Sequence, residues 1–204
     1  MPLRIIAGQY KRRKLRTNPG KTTRPISDRM KESLFHLLDG AAEDARVADV
    51  FAGTGTLGLE CLSRGAEFCV FYESDRKAHE LLRENVDHVG VSESSLCWKV
   101  DVRRTSFTPK NAPLALPYSL VFFDPPYKLA TDLTSQTPLG SALRRLSRES
   151  VTEADATLVV RTASEYPLQL SECWEVVEET RIASSRISIC RKSSSDSAKA
   201  PKVD

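Results

Sequence analysis

Long apolar runs, paired cysteines and clustered histidines are all missing from this 204-residue chain. The longest apolar runs span a few residues, as at Leu120 to Phe123. A membrane-crossing helix needs about 20 predominantly apolar positions, so no membrane association is expected. The basic start at Arg4 is not followed by the apolar stretch of a secretory signal, and a cytoplasmic protein is expected. Five cysteines (Cys61, Cys69, Cys97, Cys173, Cys190) include no C-x-x-C pair, and their odd number argues against a disulfide framework. Three histidines (His36, His79, His88) have neither H-x-x-x-H spacing nor a neighbouring cysteine, so no metal site is expected. No internal repeat is visible, which sets aside solenoids and propellers.

What is present is ordinary in bulk: 40% apolar and 28% charged residues, the range of a folded globular chain. At this length one core burying roughly 70% of the unfolded surface is the default, leaving no room for a second full domain.

The charge is unevenly spread. The first 31 residues hold ten basic side chains against the single acid Asp28, so the net charge of +3 divides into +9 there and −6 elsewhere. A positive arm on a mildly acidic body suits contact with a polyanion, since each neutralised phosphate releases counterions. A solubilising tail is the alternative. Lys11, Arg12, Arg13, Lys14, Arg24 and Arg29 are the candidate nucleic-acid-binding residues. Ser27 or Asp28 caps a predicted helix carrying Met30, Leu34, Leu37 and Leu38 on one face. Arg29 and Lys31 in its first turn oppose the helix dipole, a conflict that an external anion would relieve.

Residues 1–22 therefore read as a basic arm, with Leu3 to Tyr10 and Lys14 to Thr17 as a possible hairpin. Residues 23–192 read as the main domain, and 193–204, almost free of large apolar side chains, as a disordered tail. Strands are predicted at Arg46 to Phe51, Phe68 to Glu73, Leu96 to Val100, Ser119 to Phe123 and Ala156 to Arg161. Helices are predicted at Thr56 to Arg64, Asp75 to Val89 and Leu139 to Ser150. Trp174 to Glu179 and Ser185 to Arg191 read as a closing antiparallel pair. This alternation predicts a doubly wound α/β sheet that binds ligands beyond the carboxyl ends of its strands.

The stretch Asp49-Val-Phe51-Ala-Gly53-Thr-Gly55-Thr-Leu-Gly58 carries G-x-G-x-x-G between a strand and a helix, and Glu73 follows at the next strand end. One reading is a dinucleotide site with Glu73 on a ribose, hence an oxidoreductase. The other is a site for S-adenosylmethionine, which carries an ammonium and a sulfonium but no phosphate. Asp49 favours the second, because a carboxylate there repels a pyrophosphate and attracts a cation. Asp101, after the third strand, offers a carboxylate to an adenine amino group. Each acid taken alone can also be a cap or turn residue.

Asp124-Pro125-Pro126-Tyr127 follows the fourth strand directly. Consecutive prolines stiffen the loop and restrict the residue before them. The Asp124 carboxylate and Pro125 carbonyl are acceptors, and Tyr127 offers a stacking face. That set suits an exocyclic base amine, whose delocalised lone pair must be freed for attack on a methyl sulfonium. The base must be unpaired or flipped to reach it.

These residues resemble the RsmD-type bacterial methyltransferases, which modify guanine N2 in small-subunit ribosomal RNA. The resemblance spans about residues 3 to 192. It rests on Arg4-Ile-Ile-Ala-Gly8, on Arg24-Pro-Ile-Ser-Asp-Arg29 through Phe35, on Asp49 through Glu60, and on Leu62-Ser-Arg-Gly-Ala66. Glu73-Ser-Asp-Arg76 and Asp124 to Tyr127 complete it. It implies a Rossmann-like, seven-stranded, doubly wound methyltransferase sheet with a short basic N-terminal extension and S-adenosylmethionine as cofactor. By the same resemblance Glu73 meets the ribose, Asp101 the adenine side, and Asp124 with Tyr127 the target base. The implied partner is ribosomal RNA or a small-subunit particle. Separately, a monomer without an obligate protein partner is expected. The chain departs from the family at Ile182-Ala183, where a Tyr-Gly dipeptide is usual, and in the longer polar stretch Thr131 to Pro138. A DNA adenine-N6 or cytosine-N4 methyltransferase, and a non-catalytic RNA-binding assembly factor, are the competing readings.

Overall fold

A computed structural model of the chain describes residues 3–17, 26–126, 129–130, 132–165 and 168–193. Arg24, Tyr127 and the expected tail beyond Ser193 lie outside the described residues. Among the described residues four α-helices, α1 (Asp28–Leu37), α2 (Thr56–Ser63), α3 (Arg76–Val89) and α4 (Pro138–Leu146), accompany seven strands. The strands are β1 (Arg46–Val50), β2 (Phe68–Glu73), β3 (Ser95–Lys99), β4 (Tyr118–Phe123), β5 (Thr152–Ala163), β6 (Trp174–Ile182) and β7 (Ser185–Lys192).

They form one sheet in the order β3-β2-β1-β4-β5-β7-β6. Strands β1 to β5 run parallel, and β7 pairs antiparallel with both β5 and β6. The near-continuous apolar runs of β1, β2 and β4 suit strands covered on both faces. On one face α1, α2 and α3 bury Leu34, Phe35, Leu59, Leu62, Leu82 and Val86. On the other α4 buries Leu139, Leu143 and Leu146 with Phe107 and Trp174. There the hydroxyls of Tyr72 and Tyr118 lie 2.6 Å apart, and Tyr72 donates to the Phe107 carbonyl at 3.2 Å.

Helix starts follow their caps. Ser27, Asp75 and Thr137 each accept a backbone N–H three residues on, at 3.2, 2.8 and 3.0 Å. The expected helix ending at Ser150 stops at Leu146 instead, and β5 begins at Thr152 rather than Ala156. The reason is side-chain capping of the last turn: Thr152 donates to the Leu146 carbonyl at 2.6 Å and Trp174 Nε1 to Leu143 at 3.0 Å.

The arm folds onto the α1–α3 face. Arg4 bridges Lys14 in antiparallel sense, and the Leu15 N–H donates to the Leu3 carbonyl at 2.8 Å. Leu3, Ile5 and Leu15 are buried, each worth about 1.5–3 kcal/mol against exposure. Lys31 does not await an external anion: it is wholly buried and ion-paired with Glu60 at 3.3 Å. Glu60 also accepts from the Ile6 N–H at 2.9 Å, the Ala7 N–H at 3.0 Å and Arg64 Nε at 3.1 Å. One buried carboxylate thus ties the arm, α1 and α2 together.

Candidate active site

The β1–α2 loop is shaped by close approach. Gly55 caps α2 at φ +86°, and a Cβ on it would sit 2.5 Å from Leu82 Cδ1. A Cβ on Gly58 would sit 2.3 Å from the Phe71 ring, so only glycine lets α2 lie this close to β2. Phe51 holds φ +67°, a conformation few bulky residues adopt, with its ring edge against Phe123 at 5.3 Å. Gly53 has open space where a Cβ would stand, so a ligand can approach its backbone.

Three of the expected acids converge on this loop. Asp49, 2% exposed, accepts the Gly58 N–H at 2.9 Å. Burial pushes its carboxyl up to about 7 against that hydrogen bond, and the neighbouring Asp124 and Glu73 add repulsion. Glu73 takes the Gly53 N–H at 2.8 Å on one oxygen and the Asp75 N–H at 2.7 Å on the other, bracing two loops at once. Burial pushes the pKa of its carboxyl up while the backbone donors at Asp75 and Gly53 oppose the rise. Asp124 receives a bidentate pair from Arg161: Nε to Oδ1 at 2.7 Å and Nη2 to Oδ2 at 2.7 Å. Burial raises the Asp124 carboxyl and Arg161 opposes that rise. Pro125 is buried behind it and Pro126 is exposed.

Asp101 stands apart from this cluster. Its carboxylate is taken by Arg103, with Nη2 on Oδ2 at 2.7 Å, and that contact holds it below the usual carboxylate range. A ligand amine must share Asp101 with that guanidinium.

The candidate basic residues of the described part lie on two elements, the arm and α1. Lys11, Arg12, Lys14 and Arg29 are exposed. Arg13 is partly committed, donating to the α3 carbonyls of Val89 at 2.7 Å and His88 at 3.1 Å. The buried Asn85 joins the arm to the glycine loop: its Oδ1 accepts the Arg16 N–H at 2.7 Å, and its Nδ2 donates to the carbonyls of Arg16 at 3.0 Å and Thr54 at 2.9 Å. On the other side Met30 of α1 takes a 3.7 Å contact from Arg161 Nη1.

With that geometry in place, comparison with known proteins is decisive. The family model described as conserved hypothetical protein 95 matches residues 3–191. Ribosomal RNA small subunit methyltransferase D of Haemophilus influenzae is 32% identical over 189 residues, 91% of this chain and 92% of that one. The chain belongs to this family, the RsmD-type methyltransferases. A solved Escherichia coli chain with methyltransferase in its name is 25% identical with a TM-score of 0.75, covering 95% of this chain and 99% of that one. An RNA methyltransferase from Salinibacter ruber, solved with S-adenosyl-L-homocysteine, shares the fold at a TM-score of 0.60 and 11% identity, over 88% of this chain and 98% of that chain.

The residues fit the family's cofactor. S-adenosylmethionine is a cation lacking phosphate, and Asp49, Glu73 and Asp124 lie about a loop beside which the Arg161 cation is committed to Asp124. Asp49 and Glu73 would hold the loop and Glu73 the ribose hydroxyls. The sequence reading missed Arg161, Asn85 and the Lys31–Glu60 pair. A signal existed for two of them: Arg161 interrupts the apolar run Leu158-Val-Val160, and Glu60 sits within the apolar helix Leu57-Gly-Leu-Glu-Cys-Leu62.

Proposed function

We propose that this protein methylates the exocyclic N2 of a guanine in small-subunit ribosomal RNA. The observation that carries the reading is the Asp124 carboxylate, fixed at the end of β4 beside an acid-lined glycine loop. The cofactor of this RsmD-type chain is S-adenosylmethionine, and the protein is an RNA methyltransferase. When bound, the cofactor supplies a methyl on a sulfonium, open to attack by nitrogen. Asp124 accepts hydrogens from the base amine, with the Pro125 carbonyl as second acceptor and Tyr127 as the stacking face. Directed acceptors localise the nitrogen lone pair and hold it in line for transfer. The nitrogen gains a carbon bond as the carbon–sulfur bond breaks, and the amine then sheds one proton. The exposed Lys11, Arg12, Lys14 and Arg29, together with Arg24, hold the RNA backbone by phosphate contacts.

The test is transfer of labelled methyl to small-subunit particles, naked ribosomal RNA and duplex DNA in parallel, with nucleoside analysis of the product. Labelled N2-methylguanosine is the expected product. Label in adenine or cytosine of DNA would overturn the substrate, and no label anywhere would leave an RNA-binding assembly factor as the function.

A further inference from the structure

We propose that Arg161 is a positioning residue of the transfer site, fixing the plane of the Asp124 carboxylate so that its remaining lone pairs face the reacting amine. The inference rests on the role given to Asp124 above.

The geometry is a continuation of the sheet. Parallel β4 and β5 pair Phe122 with Val159 and Phe123 with Val160, so the next step places Arg161 beside Asp124. Both side chains then leave the sheet on the α1 face, with 13% and 17% of their surface exposed. Two parallel N–H···O contacts at 2.7 Å constrain a carboxylate in rotation as well as position, which a single contact does not. Arg161 is itself held: β5 pairs it with Ile187 of β7, and Nη1 meets the Met30 sulfur of α1. Each carboxylate oxygen retains a lone pair after accepting one guanidinium hydrogen, which is what a base amine requires. Among the described residues Arg161 from β5 is the cation that opposes the effect of burial on Asp124, Asp49 from β1 is an acidic neighbour, and Met30 from α1 meets the guanidinium.

Arg161→Lys and Arg161→Met separate geometry from charge. Lysine keeps the cation but loses the planar fork. We expect Arg161→Lys to lower kcat about 100-fold, as misplacement of a reacting group does, with KM for RNA and cofactor affinity within about twofold. The Asp124 carboxyl band, assigned by infrared difference against Asp124→Asn, should titrate near its wild-type midpoint in Arg161→Lys and at higher pH in Arg161→Met. A merely structural role would instead move melting temperature and cofactor affinity while leaving that midpoint in place. An Arg161→Lys protein with kcat within about threefold of wild type would overturn the positioning role. An Arg161→Met protein with an unchanged Asp124 midpoint would overturn the electrostatic half. Wild-type protein that transfers no methyl to RNA sinks the functional reading instead, and the infrared comparison still decides whether the clamp controls Asp124.

Discussion

Replacing Glu60 by glutamine tests whether one buried carboxylate holds the arm in place. Glu60 has no exposed surface and each of its oxygens serves two donors: Ala7 N–H and Arg64 on Oε1, Ile6 N–H and Lys31 on Oε2. Glutamine fills the same volume but turns one acceptor oxygen into a donor that faces two other donors. It also leaves the buried Lys31 cation without its carboxylate counter-charge, held by neutral acceptors such as the Arg4 carbonyl. Breaking a buried pair from one side costs about 3–5 kcal/mol, a large share of the 5–15 kcal/mol typical of a whole domain. At roughly 2–4 °C per kcal/mol for this size, the melting temperature should fall by about 6–20 °C. Urea unfolding gives the free energy, and trypsin cleavage within Lys11 to Lys14 reports arm release directly. Adding Lys31→Met to Glu60→Gln should recover part of the loss, since the stranded cation is then gone. A loss below about 1 kcal/mol, or a double variant no better than the single one, would show that the pair does not anchor the arm.

Three further outcomes follow from the same geometry. The native Asp49 carboxyl keeps its proton up to about pH 7 while the unfolded one loses it near 3.8, so this group favours folding in acid and opposes it as the pH rises through that window. Asp49→Asn should therefore gain up to about 4 kcal/mol at neutral pH relative to wild type and flatten the fall in stability between pH 4 and 7, read by urea titration at each pH; an unchanged slope contradicts the burial argument. Asn85→Ala strands the Thr54 and Arg16 groups and should cost at least about 2 kcal/mol while raising amide exchange at Arg16, whereas unaltered exchange there would deny the link between arm and glycine loop. Changing Lys11, Arg12 and Lys14 together to glutamine should reduce the slope of log affinity against log salt by about 2 for single-stranded RNA without touching cofactor binding, and an unmoved slope would place the RNA elsewhere.

The legible part of this fold was its punctuation. Glycine spacing between a strand and a helix, the cap at Ser27 and the β-branched and aromatic runs of β2 and β4 each follow from local backbone preference, so elements and their order could be read directly. Glu73 and Asp124 were readable for the same reason: each ends such a run. Asp49, read as attracting a cation, proves also to brace the loop through Gly58. What escaped depends on pairing across distance. Lys31 looks like a surface cation until Glu60 is folded against it, and Arg161 becomes meaningful only when β5 lies beside β4. The early end of α4 escaped too, because its capping groups, Thr152 and Trp174, lie beyond the helix in sequence.

Strand β7 comes last of the seven yet lies inside the sheet, between β5 and β6. A chain emerging in order from a ribosome has β5 in hand with a bare edge, and β6 with nothing to pair to, until β7 arrives. Arg161 sits on that bare edge, opposite Ile187 of the missing strand. The strand that carries Arg161 is thus flanked on both edges only once β7 has been made, so the last strand of the sheet to be synthesised is the one that closes it.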